Sequence, residues 1–126
     1  MDPLPLSVGV DMVEISRIGD MVNRWGDRFL KRAYTSAEIA RCRGRVPELA
    51  VRFAAKEAFS KALGVGLREG GIRWREVEVL PDPRGKPVMQ VTGRAARLCQ
   101  EMGIRGLHLS LTDEDNLAVA TVVLET

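Results

Sequence analysis

The sequence predicts an α+β domain. Three observations carry that class. Ser7 to Val13 alternates with a period of two, the mark of a strand. Glu48 to Leu63 is dominated by alanine, leucine, glutamate and lysine, all strong helix formers. Strand and helix patterns then mix without strict alternation, which argues against a regular α/β winding. At 126 residues and 45% apolar composition, the chain is expected to form one soluble domain, 1–126, around one core.

In the first strand Val8, Val10 and Met12 point one way and Gly9 and Asp11 the other, with an end expected near Asp11. Ile15, Ile18, Met21 and Val22 fall at helical spacing and predict a helix directly after it, broken at Gly26. Thr35 precedes Glu38 by three residues, the spacing of a capping box, and predicts a short helix. Pro47 stands before the long helix, and Gly64 sits where a C-cap glycine belongs. Val65 to Gly71 is glycine-rich and reads as a loop.

Trp74 to Leu80 predicts a strand, Pro81 to Pro87 carries turn chemistry, and Val88 to Thr92 returns to complete a hairpin. Ala95, Leu98, Cys99 and Met102 mark an amphipathic helix closed by Gly103. Leu107, Leu109 and Leu111 alternate with His108, Ser110 and Thr112, a half-buried strand. Asp113 to Asn116 reads as a turn. Leu117 to Leu124 is almost wholly apolar and predicts a strand covered on both faces.

Composition excludes several classes. No apolar run approaches the roughly 18 residues of a membrane-spanning helix. Met1 to Pro5 lacks a basic segment followed by an apolar one, which argues against a signal peptide and for a cytoplasmic protein. Cys42 and Cys99 form no CxxC pair, and a single histidine leaves a structural zinc site short of ligands. Reduced thiols are the expectation, with a disulfide left open by spacing alone. A net charge of +2 and 5% aromatic residues give no stacking platform for nucleic acid.

Phe53, Glu57, Ser60, Lys61 and Gly64 share one stripe of the long helix. A carboxylate, a hydroxyl and an ammonium on one stripe suit metal and phosphate binding. Glu57 and Lys61 at i,i+4 also suit an ordinary surface ion pair. Asp11, at the end of a mostly apolar strand, either reaches into a site or caps the next helix. Asp11 and Glu57 together would meet the need of a magnesium ion for one or two carboxylates. Asp113 and Asp115 lack the glycine and glutamate spacing of a calcium loop and read as a solvated turn. Arg17, Met21, Arg24 and Arg28 recur at four, three and four, a basic stripe suited to an acidic partner or simply a solvated face.

Gly9-Val10-Asp11-Met12-Val13-Glu14-Ile15-Ser16-Arg17-Ile18 resembles the N-terminal motif of the holo-acyl-carrier-protein synthases, and Arg52 to Ala62 resembles their second signature almost letter for letter. Phe29 to Thr35 with Glu38, Gly85-Lys86-Pro87, and His108 to Thr112 match the segments between and after them. The resemblance spans nearly the whole chain. It implies the 4'-phosphopantetheinyl transferase fold, a mostly antiparallel sheet packed on the long central helix. It also implies a Mg²⁺-dependent transfer of phosphopantetheine from coenzyme A to a serine of apo acyl carrier protein, in fatty-acid or polyketide synthesis.

The resemblance further implies Mg²⁺ on Asp11 and Glu57, bridging to the coenzyme A diphosphate. Lys61 neutralises phosphate, and Glu57 or a metal-held water serves as base. Arg52, Gly85, Lys86, Pro87 and His108 resemble the family's coenzyme A contacts, and Ser60, Lys61 and Gly64 are assigned with them. Several such contacts come from a neighbouring subunit in the family's trimers, which implies a homotrimer with sites at subunit interfaces. The commoner pattern has a second histidine after Ser-Leu-Thr, where this chain has Asp113. Acyl carrier proteins are acidic, so Arg17, Met21, Arg24 and Arg28 are the expected dock. A non-enzymatic basic docking module would keep that stripe but has no use for Asp11, Glu57 and Lys61. An inactive assembly subunit is the other alternative, and those three intact residues argue against it.

Overall fold

β1, Leu6–Glu14, passes without a turn into α1, Ile15–Trp25. The structure is a computed structural model that describes residues 5–65 and 71–126. Most of the stretch expected as a glycine-rich loop, Val65 to Gly71, lies outside the described residues. After α1 come two short helices, α2 (Asp27–Ala33) and α3 (Ser36–Cys42), and the long α4 (Val46–Leu63). A single 3-10 turn at Trp74–Glu76 leads into the hairpin β2 (Val77–Pro81) and β3 (Pro87–Val91). α5 (Gly93–Glu101), β4 (Gly106–Glu114) and β5 (Leu117–Glu125) complete the chain.

Two antiparallel sheets result, one ordered β1-β5-β4 and the other the β2-β3 hairpin. α4 lies across one face of the larger sheet. The expected class, α+β with an antiparallel sheet against the long helix, is the fold observed. Twelve of the 18 residues of α4 are buried, so packing on nearly all sides holds it rather than one amphipathic face. Ala54, Ala58 and Ala62 recur at four-residue steps and are all buried, which lowers that side of the helix. Gly9 of β1 uses the space. A Cβ there would collide with the carbonyl of Ala58 and stand 2.6 Å from the Ala62 nitrogen. Ser7, two residues earlier on the same strand face, donates its hydroxyl to the Ala62 carbonyl at 2.6 Å.

β1 does not end near Asp11. It continues to Glu14, because each residue keeps a partner on β5 as far as Glu14↔Leu117. Trp74 does not begin a strand: the Glu76 carboxylate accepts the Arg73 backbone N–H at 3.0 Å and closes a turn first. The β4–β5 turn is tighter than expected, with Asp113 and Glu114 still in the strand and Asp115 at φ 53. β5 is buried on one face only, through Ala118, Ala120, Val122 and Leu124. Its second face carries Val119, Thr121 and Val123, which this chain leaves half-exposed. Beside them Val8, Val10 and Met12 of β1 are each more than half exposed.

The capping box at Thr35 forms as predicted: its hydroxyl accepts the Glu38 N–H at 3.2 Å, and Glu38 accepts the Thr35 N–H at 2.9 Å. Glu38 does more than cap. Its Oε1 also takes Lys56 Nζ at 2.7 Å, and its Oε2 takes the Val79 N–H at 2.9 Å. Lys56 gives a further bond to the Trp74 carbonyl at 3.1 Å. Both side chains are fully buried, so one ion pair ties α3, α4, β2 and the 3-10 turn together. Burial lowers the Lys56 pKa, and the Glu38 carboxylate opposes that shift.

Candidate active site

The alternation of β1 decides which of its residues meets α4. Ser7, Gly9, Asp11 and Val13 face the helix, and the larger apolar side chains face away. Close approach at Gly9 then brings Asp11 to the exposed end of the stripe on α4. Lys61 Nζ lies 2.9 Å from Asp11 Oδ1 and 3.3 Å from the Val10 carbonyl. That bond raises the Lys61 pKa.

Glu57 sits one turn earlier on α4. Burial raises its pKa, and the nearby Asp11 carboxylate pushes in the same direction, while Lys61 and Arg17 oppose both. Two carboxylates, an ammonium and a guanidinium from β1, α4 and α1 therefore share one field. Glu57 also forms part of the wall of a cavity of about 710 Å³ between α1, α2 and α4. Phe29, Phe53 and Trp74 give that cavity an aromatic lining, with Phe53 and Trp74 stacked at 4.5 Å. Arg17, Met21, Trp25, Arg28, Arg32 and Ala33 line the rest of it.

A family model of the 4'-phosphopantetheinyl transferase superfamily matches residues 7–122. The chain belongs to that superfamily. Among its relatives, a holo-[acyl-carrier-protein] synthase of Koribacter versatilis is 47% identical over 123 residues, covering 95% of this chain and 98% of that one. One from Herpetosiphon aurantiacus is also 47% identical, covering 94% of this chain and 97% of that one. Among solved structures, the Helicobacter pylori holo-[acyl-carrier-protein] synthase in complex with coenzyme A superposes with a TM-score of 0.85 at 30% identity, covering 94% and 99% of the two chains. The Neisseria meningitidis synthase gives a TM-score of 0.86 at 35% identity, covering 95% and 98%.

Against that superfamily frame, the remaining expected site residues separate. Ser60 is buried, and its hydroxyl donates to the Glu57 carbonyl at 2.8 Å. Arg52 is buried as well, donating to the Val79 carbonyl at 2.9 Å and pairing with Glu48 at 2.8 Å. In this chain it fastens α4 to β2. Gly64 caps α4 at φ 83. Gly85 and Lys86 lie in the β2–β3 turn, and Pro87 opens β3. His108 stands on the outward face of β4, opposite Val123, and meets Glu125 at 3.1 Å. Asp11 pairs with Ala120 on the inward face, so His108 and Asp11 lie on opposite sides of one sheet.

The basic stripe survives in altered form. Gly26, at φ 54, ends α1 and places Arg28 on α2. The Trp25 ring bridges the break, with the guanidinium of Arg24 at 5.6 Å and that of Arg28 at 5.9 Å. Arg17, Met21 and Arg28 line the cavity beside Glu57, whereas Arg24 does not. Sequence reasoning missed Trp74 in this wall, whereas Arg32 closely follows the basic stripe in the sequence. Only the tertiary fold brings Trp74 to α4, and no spacing rule marks it.

Proposed function

We propose that this chain transfers the 4'-phosphopantetheine group of coenzyme A to a serine of apo acyl carrier protein, releasing adenosine 3',5'-bisphosphate. The observation that carries the reading is the meeting of Asp11, Glu57 and Lys61 on two elements 46 residues apart, in a chain 47% identical to a holo-[acyl-carrier-protein] synthase. In the transfer, a bond forms between the serine oxygen and the phosphorus that bears pantetheine. The bridging P–O bond breaks, and its electron pair leaves on the adenosine bisphosphate. The serine proton needs an acceptor. Glu57, in the cavity wall, or a metal-held water suits that role. Lys61, more than half exposed, can turn from Asp11 towards phosphate oxygen.

Magnesium fits the donor set. The ion usually binds one or two carboxylates and completes its shell with water and phosphate. Asp11 and Glu57 are two carboxylates close enough for one to disfavour ionisation of the other. Bound there, the ion would polarise the phosphorus centre and balance charge on the departing phosphate. Arg17, Met21 and Arg28 would seat the acidic carrier beside Glu57. Buried free thiols at Cys42 and Cys99 suit a cytoplasmic enzyme.

We also read the uncovered apolar face of Val8, Val10, Met12, Val119 and Val123 as the seat of neighbouring copies in a homotrimer. His108 on that face would then serve a neighbour's coenzyme A.

The test is direct. The protein is incubated with coenzyme A, Mg²⁺ and an apo carrier protein, and the carrier is weighed. A gain of one phosphopantetheinyl group supports the reading; no gain on any carrier by a folded protein sinks it. Glu57→Gln abolishes the gain while the thermal unfolding curve persists, and a chelator abolishes it in the native protein. Sedimentation equilibrium checks the trimer.

A further inference from the structure

A second cavity, of about 790 Å³, borders the first. Arg32 and Trp74 belong to the walls of both, and Thr35, Arg73, Arg75 and Glu76 complete the polar lining of the second. We propose that this cavity is a second docking site for the acidic carrier protein, taking an acidic segment beside the one that meets the α1 stripe. The proposal rests on the carrier reading above and extends it to residues outside both family motifs.

Charge carries the argument. Arg32, Arg73 and Arg75 are all exposed. Among the described residues no side-chain hydrogen bond or ion pair engages any of the three guanidinium groups. Nearby carboxylates are engaged elsewhere. Glu76 accepts the backbone N–H groups of Arg73 and Arg94 at 3.0 and 3.1 Å, and Glu78 accepts the Thr35 hydroxyl at 2.6 Å. Among the described residues, three arginines against one glutamate leave the lining at a formal +2. Unpaired guanidinium groups beside one another repel, and an acidic partner relieves that repulsion.

Position decides which acidic partner. Trp74, stacked on Phe53, and Arg32 line both cavities. A surface lying along Arg17 and Arg28 reaches Arg32 and then Arg73 and Arg75, and among the described residues each lining sets a single carboxylate, Glu57 or Glu76, against its arginines. The three guanidinium groups are dispersed over α2 and the 3-10 turn and none is buried. That pattern matches a broad acidic protein surface better than the enclosed donors of a small-anion site.

The experiment compares Arg73→Glu/Arg75→Glu with Arg17→Glu, each checked for wild-type thermal unfolding. KM is measured separately for the carrier and for coenzyme A, at low and high salt. The expected result is a rise in carrier KM of about tenfold at low salt, shrinking at high salt, with KM for coenzyme A unchanged. An unchanged carrier KM alongside a raised one in Arg17→Glu overturns this second site and leaves the first standing. Unchanged values in both variants overturn the docking reading as a whole. A raised KM for coenzyme A alone reassigns the cavity to the small substrate and overturns the proposal. Should charge reversal prevent folding, Arg73→Gln/Arg75→Gln gives the same comparison, with a rise of about threefold expected and no rise overturning it.

Discussion

Lys61 donates to Asp11 across the seam between α4 and β1, at 2.9 Å. The lysine side chain is 57% exposed, so solvent screens the pair. Pairs of this kind stabilise a fold by about 0.2–1 kcal/mol. Chemistry and stability should therefore separate at this position. Lys61→Ala is expected to unfold within about 3 °C of the wild type. Its kcat for carrier modification should fall by about a hundredfold, the usual scale for losing one electrostatic contact to a transition state. Parallel losses of both would assign Lys61 to the fold instead.

Gly9 permits the contact that places Asp11. Gly9→Ala sets a methyl group against backbone atoms of Ala58 and Ala62, which cannot move without disturbing α4. The expected cost is about 2–3 kcal/mol, read as a lower midpoint in urea. Transfer activity should fall further than the folded fraction, because β1 must shift away from Glu57. A variant with full stability would contradict the close approach.

Removing one member of the Glu38–Lys56 pair leaves a buried charge without its partner. Lys56→Met should cost about 3–5 kcal/mol. Lys56→Met/Glu38→Gln should recover part of that loss, since no uncompensated charge remains. Thermal unfolding of the two proteins tests the order. A double variant less stable than the single one would show that the other bonds of Glu38, to Thr35 and Val79, matter more than the charge.

Tyr34 sets an alkaline limit. Burial holds its phenol well above the ordinary value of 10.0, and burial likewise raises the Cys42 thiol above 9.0. A raised folded pKa gives stability that is complete below the unfolded value and lost as pH climbs past it. Above about pH 10 the unfolded chain gives up a tyrosine proton that the native chain keeps, so stability falls by about 1.4 kcal/mol per pH unit. Tyr34→Phe removes that share. It also forfeits the bond to the Leu49 carbonyl at 2.8 Å, costing about 1–2 kcal/mol at neutral pH. Urea unfolding from about pH 8 to 11 should find the variant weaker at first but flatter in slope. Equal slopes would count against the burial argument.

What the sequence discloses here is mostly local. Thr35 and Glu38 announce their cap because both partners lie within four residues, and Gly26 and Gly64 announce helix ends because their backbone angles need glycine. The stripe of Glu57 and Lys61 follows from helical period, but Asp11 joins it only through a packing contact that the period-two pattern does not reveal. Lys56 reads as one more helix former, since its buried partner is 18 residues away. The apolar run of β5 predicts cover on both faces, yet one chain supplies it on one. The strand at Trp74 fails because a side-chain bond from Glu76 outcompetes the extended pattern.

Among the described residues β1 has a single sheet neighbour, β5, paired from Leu6↔Glu125 to Glu14↔Leu117. During synthesis Asp11 leaves the ribosome early, but its strand waits for more than a hundred further residues before its hydrogen-bonding edge is occupied. The carboxylate pair is therefore among the last features of the molecule to be fixed, and contacts so distant along a chain form slowly. A nascent chain stalled before Leu117 would carry Asp11, Glu57 and Lys61 and still lack the strand pairing that holds β1 in place.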